Sequence, residues 1–219
     1  MESKSSENSA YYAQTRGEML KFIPDNAECF LEVGCADGSF GSLIKSSRTC
    51  VIWGVEPVYE IAQRAINRLD NVISSSVESG IAQLPLDFFD CVICNDVLEH
   101  LTCPDKLLSD LSKHLKSNAT IVGSIPNIRY FPVIYNLIVN SDWKYSDYGV
   151  LDRTHLRFYT GKSLIRLLED SGYTNIHIEG INPTTGIRAR LLSILSFGLF
   201  RDCLFQQYAF TANPKKQQG

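Results

Sequence analysis

Leu31-Glu32-Val33-Gly34-Cys35-Ala36-Asp37-Gly38-Ser39-Phe40-Gly41 carries an apolar run into a glycine turn and out again into a stretch with helical spacing. A strand that turns sharply into a helix needs backbone freed from a Cβ, and Gly34 and Gly38 supply it. Outward from this turn the same alternation repeats. Apolar runs at 29–33, 50–55, 72–74, 89–94, 120–124, 173–179 and 205–211 read as strands. Between them, 39–46, 59–69, 104–115 and 161–171 read as helices, and 11–23, stopped by Pro24, reads as a helix laid over the sheet. Such alternation means βαβ units: an α/β fold with seven strands in a mostly parallel sheet and helices on both faces.

The 219 residues suffice for one α/β domain with a sizeable core. The reading divides them into a flexible 1–10, a single domain over 11–212 and a tail at 213–219. Within the domain, 127–160 and 182–204 interrupt the rhythm as insertions on the acceptor side. A net charge of −3 gives no positive field for a phosphate backbone, so no nucleic-acid partner is expected. Seven cysteines, an odd number, fall partly inside apolar runs and read as reduced thiols of a cytoplasmic protein. Cys91 and Cys94 have C-x-x-C spacing but no second pair to complete a ligand set, so they read as buried apolar groups. The polar first ten residues carry no secretory apolar segment.

Glu56 lies 22 positions after Gly34, at the end of the next strand, where an acid accepts the two hydroxyls of an adenosine ribose. A nicotinamide dinucleotide would press its pyrophosphate against the glycine turn, and that approach favours a middle glycine. Ala36 holds the position, beside Asp37, whose carboxylate repels an anion. With Glu32, Asp37, Glu56, Asp96 and Glu99 all near the carboxyl ends of strands, the charge pattern prefers a cationic adenosine ligand. An NAD-dependent oxidoreductase is the disfavoured rival, and a non-catalytic binding protein with the same pocket is the other.

The chain resembles the class I S-adenosylmethionine-dependent methyltransferases, in the subgroup similar to ubiquinone-pathway O-methyltransferases and the small methyltransferases of polysaccharide pathways. The resemblance spans about 11–211, and implies a Rossmann-like sheet whose last strand is antiparallel. Glu32-x-Gly34-x-x-x-Gly38 matches the family's first motif and implies that these residues, with Cys35 and Ala36, line the methionine end of S-adenosylmethionine. Glu56, followed by Pro57, matches the ribose-binding acid. Asn95-Asp96-Val97-Leu98-Glu99-His100-Leu101 matches the segment between cofactor and acceptor. Tyr12 and Arg16 resemble residues of the leading helix that reach the cofactor's carboxylate. Where the family often places an adenine-binding Asp, this chain has Ser76 followed by Val77, which leaves adenine to the Val77 backbone and Ser76.

The resemblance implies direct methyl transfer to a small-molecule, sugar or lipid-linked acceptor, at oxygen, with no metal required. A hydroxyl acceptor profits from a base that removes its proton, and His155 and His100 are the candidates. His114 reads as helix-exposed and His177 lies in the late strand. The apolar 187–205, flanked by Arg188, Arg190 and Arg201, is too short to span a membrane. It reads as a peripheral contact with a membrane surface, or as a lid or homodimer contact.

Overall fold

The computed structural model describes residues 16–215, so Tyr12 and the expected flexible 1–10 lie outside the described residues. The strands are β1 (Cys29–Val33), β2 (Val51–Val55), β3 (Asn71–Ile73), β4 (Phe89–Asn95), β5 (Leu115–Pro126), β6 (Tyr173–Pro183) and β7 (Phe205–Pro214). They form one seven-stranded sheet in the order β3-β2-β1-β4-β5-β7-β6. The β2–β3, β1–β2, β1–β4 and β4–β5 pairs are parallel, and β7 runs antiparallel to both β5 and β6. The expected architecture holds, with β7 reaching Pro214, two residues past the expected domain end.

The helices are α1 (Ser39–Ser47), α2 (Tyr59–Ala65), α3 (Val77–Gly80), α4 (Pro104–Leu111), α5 (Phe131–Val139), α6 (Gly161–Asp170) and α7 (Ile187–Leu195). Successive strand residues face opposite sides of the sheet and split the core in two. Leu31, Val92 and Cys94 pack with Leu107, Leu108 and Leu111 of α4 and Leu164 and Leu168 of α6. Phe30, Cys91 and Ile93 pack on the other face with Phe40 and Ile44 of α1 and with Met19. Cys91 and Cys94 therefore sit in different cores, which is why their C-x-x-C spacing makes no ligand pair.

Three expectations need correction. Among the described residues the leading segment is a 3-10 helix over Gly17–Phe22, preceded by Arg16 with φ 46. Gly17, with its large backbone entropy, and the left-handed Arg16 stop an α-helix there. Helix α4 ends at Leu111, and His114 beyond it is buried, with Nδ1 2.9 Å from the Pro85 carbonyl oxygen. Helix α2 likewise ends at Ala65, short of the expected 69. Among the described residues no helix is long and apolar enough to cross a membrane.

Candidate active site

Strand order reverses between β1 and β4, and in parallel sheets the crevice outside the carboxyl ends at such a point is where ligands bind. The loops after these two strands meet there. A Cβ built on Gly34, which has φ +66, would lie 2.9 Å from Cγ2 of Val97. Gly34 thus serves a close approach of two loops as well as the turn expected of it.

Ala36 adopts φ 48 and Gly38 φ 77. The left-handed conformation costs an alanine about 1–2 kcal/mol, and the Ala36 N–H donates to Oε2 of Glu56 at 3.0 Å. The other oxygen, Oε1, accepts the Val58 N–H at 3.0 Å. Burial pushes the pKa of Glu56 up, against the pull of these two amides. Each carboxylate oxygen keeps a further lone pair, the requirement for accepting a pair of ribose hydroxyls.

Glu32 is buried on β1 and accepts the Gly41 N–H of α1 at 3.1 Å. Burial pushes its pKa up to about 8, so it is largely protonated at neutral pH. Asp37 accepts the Ser39 N–H and pairs with Arg68. Burial works to raise its pKa, but these partners outweigh it and hold the pKa below the usual value. The negative field expected from five acids is therefore reduced at Glu32 and Asp37. The Cys35 thiol lies in the core, where a Cβ on Gly54 would meet Sγ at 2.5 Å. Its N–H and carbonyl are used by Val55 and Gly38, so it shapes the turn.

At the end of β4, Asn95 has both side-chain amide atoms buried without a partner among the described residues. An orphaned buried amide takes its partner from water or from a ligand. Asp96, with φ 53, accepts from Ser124 Oγ at 3.0 Å and Gln207 Nε2 at 2.8 Å and pairs with Arg16, whose Nη2 also donates to Ser124 Oγ at 2.8 Å. Arg16 thus lies beside Asp96 at the carboxyl end of β4. Ser124 and Gln207 carry no motif, and sequence reasoning missed them. They arrive together because β7 pairs antiparallel with β5, Pro126 opposite Gln207. Pro57 and Ser76 are exposed, and Val77 is buried at the start of α3, close after β3.

Past Asn95, a 3-10 turn over Leu98–His100 carries Glu99, 1% exposed, with neither carboxylate oxygen partnered among the described residues. Burial pushes its pKa up to about 8. The Glu99 carbonyl accepts the N–H groups of Leu156 and Arg157 at 2.8 and 3.1 Å, which brings the 152–157 turn alongside. His155, 8% exposed, has Nδ1 3.1 Å from the Val150 carbonyl oxygen and Nε2 4.0 Å from Glu99 Oε1. The His100 and His155 rings stand 4.8 Å apart, edge to face. Burial lowers the pKa of His155 from its ordinary value, leaving a neutral ring at pH 7. With Nδ1–H donated to Val150, the Nε2 lone pair is free to accept a proton. Both histidines singled out from sequence share one cluster with Glu99.

Residues 6–178 match the family model described as a methyltransferase domain. The chain belongs to this methyltransferase family. The methyltransferase is similar to the ubiquinone biosynthesis O-methyltransferase of Photobacterium profundum, at 24% identity over 180 residues, 76% of this chain and 75% of that protein. Its fold matches an S-adenosylmethionine-dependent methyltransferase from Archaeoglobus fulgidus with a TM-score of 0.69 at 21% identity, covering 94% and 93% of the two chains. It also matches the Haemonchus contortus phosphoethanolamine N-methyltransferase 2 in complex with S-adenosyl-L-methionine, with a TM-score of 0.59 at 12% identity, covering 91% of this chain and 52% of that one. The chain is an S-adenosylmethionine-dependent methyltransferase, whose cofactor supplies an electrophilic methyl group on a sulfonium. The carboxyl ends of β1, β2 and β4 carry the groups that would hold it: the glycine turn, the Glu56 carboxylate with its remaining lone pairs and the unpartnered Asn95 amide.

Proposed function

We propose that the enzyme methylates a hydroxyl oxygen of a small molecule, a sugar or a lipid-linked acceptor. The observation that carries this reading is the neutral, buried His155, whose Nε2 is left free beside Glu99 and His100. A hydroxyl gains nucleophilicity as a base takes its proton, and a positioned imidazole contributes about 10²–10⁴-fold to such a step. In this reading His155 is the base, and His100 lines the acceptor side with it. Gly34, Gly38, Ala36 and Glu56 hold the cofactor, Arg16 and Asp96 flank its methionine end, and Ser76 and the Val77 backbone take adenine. The O-methyltransferase named in the Photobacterium relative supports oxygen as the target.

Kinetics of His155→Ala test the base. Turnover should fall by about 10²-fold or more while calorimetric affinity for S-adenosylmethionine stays within twofold. Undiminished turnover would remove His155 from proton transfer.

A second observation favours a membrane-peripheral setting. Ile187, Leu191, Ile194, Leu195, Phe197 and Leu199 are exposed, Phe197 fully, while Ala189 and Ser193 face the body. The apolar side of α7 thus points outward, with Arg188, Arg190 and Arg201 exposed around it. That suits an anionic lipid surface, with a second copy of the chain as the competing occupant. Seven free thiols suit a cytoplasmic location.

A further inference from the structure

Between the start of α4 and the chain entering α6 lies an open cavity of about 410 Å³, whose lining includes Asp105, Leu156, Arg157, Phe158, Tyr159 and Ser163. Small-molecule sites span about 300–1,000 Å³, so one sugar-sized ring fits. None of these residues belongs to the glycine turn or to the Glu56 carboxylate that serve the cofactor.

Backbone pairing fixes the cavity beside the reacting end of the sheet. Tyr159 bridges to Asn127 just past β5, and the Leu156 and Arg157 N–H groups donate to the Glu99 carbonyl. Phe158 belongs to the wall, and its ring stands 6.3 Å from that of His155. The cavity is thus one side chain away from the histidine. Phe158 is itself held in place, by Trp143 at 5.4 Å between ring centroids and by the small core of Val133, Val150 and Leu151.

The lining selects the chemistry of the occupant. Ser163 is committed to the cap of α6 and the Tyr159 hydroxyl is buried, so the exposed Arg157 and Asp105 are the polar groups that meet a ligand. Arg157 uses one of its five donors on the Thr102 carbonyl. With one charge of each sign, a phosphate or carboxylate drawn to Arg157 also meets the Asp105 carboxylate, and an amine meets the guanidinium. An alkyl chain would take water from both charged groups and return no hydrogen bond. A neutral polyol returns them: its hydroxyls accept from the guanidinium and donate to the carboxylate. Its C–H faces pack on Phe158 and Leu156.

We propose that this cavity binds an uncharged sugar ring of the acceptor, with the hydroxyl to be methylated on the neighbouring unit at His155. That consequence for catalysis rests on the hydroxyl reading above. The acceptor is then a glycoside, and Phe158, Arg157 and Asp105 position it without touching the reacting atoms.

Saturation-transfer NMR on the full-length protein holding S-adenosylhomocysteine tests this, with neutral methyl hexosides and disaccharides as probes, glucose 6-phosphate as the anionic probe and octanol as the apolar one. Wild type should bind neutral sugars in preference to both other probes. Leu156→Trp, which fills the cavity from its exposed rim, and Arg157→Ala should each weaken this by about tenfold or more, with unchanged circular dichroism and S-adenosylmethionine affinity. Wild type that binds no neutral sugar overturns the site, as does preference for the phosphate or the alcohol, or equal sugar binding by both variants. Sugar binding lost in the variants, with the methyl group found on nitrogen, leaves the cavity standing and removes the hydroxyl reading. Methylation of a hydroxyl on an acceptor without a sugar, undiminished in Leu156→Trp, does the reverse.

Discussion

The Glu56 carboxylate accepts the Ala36 N–H at 3.0 Å, so the acid after β2 fastens the glycine turn after β1. One side chain therefore shapes the turn and keeps the lone pairs that, in the proposed reading, accept from a ribose. Replacing Glu56 with Ala should weaken S-adenosylmethionine binding by about 1.5–3 kcal/mol, the worth of hydrogen bonds to a charged group. Calorimetry on the folded variant checks this, and unchanged affinity would move the ribose elsewhere.

Gly34 should be sensitive for two separable reasons. Gly34→Ala meets the left-handed penalty of about 1–2 kcal/mol and the 2.9 Å approach to Val97 Cγ2. Adding Val97→Ala removes the second cost. In urea unfolding, the effect of Gly34→Ala should therefore be smaller in a Val97→Ala background, and additivity would show that the loops do not press on each other.

The buried Glu32 gives stability a pH dependence of known sign. Its folded pKa, pushed up by burial to about 8 from an ordinary 4.5, means that the folded chain holds a proton the unfolded chain releases. Between pH 4.5 and 8 this group therefore makes stability fall as pH rises. Glu32→Gln cannot ionise and still accepts from Gly41. Its unfolding midpoint should be near wild type at about pH 5 and gain on wild type toward about pH 8. A difference independent of pH would mean that Glu32 ionises normally.

Sequence made the sheet legible because apolar runs and turns carry the signal. β1 was read to the residue, as Cys29–Val33. β5 runs from Leu115, well before the expected 120, because Lys116, Ser117 and Asn118 break the apolar pattern while the backbone stays extended. Gly34 and Glu56 stand out because their spacing follows the βαβ unit, and Asn95 and Asp96 because their segment resembles the family's. The Glu99–His155 contact does not. Its partners are 56 positions apart, joined by backbone bonds from Leu156 and Arg157, and no local pattern records that. Ser124 and Gln207 were hidden for the same reason, since their meeting depends on antiparallel insertion of β7.

The outward apolar side of α7 predicts co-sedimentation with anionic liposomes at low salt. Leu195→Glu combined with Phe197→Glu should abolish it while S-adenosylmethionine affinity is kept. Wild type that stays in the supernatant, with a double mutant that elutes later on gel filtration, would instead assign the face to a second copy.

The central claim is transfer of a methyl group to a hydroxyl oxygen at the Asn95–His155 edge of the sheet. Its most direct test is S-adenosylhomocysteine release over a panel of sugars, nucleotide sugars, quinone precursors and small acids, with the methyl position in the product fixed by NMR. The account predicts an O-methyl ether formed in equal amount to S-adenosylhomocysteine, with turnover lost in His155→Ala. A product methylated on nitrogen or carbon would contradict it.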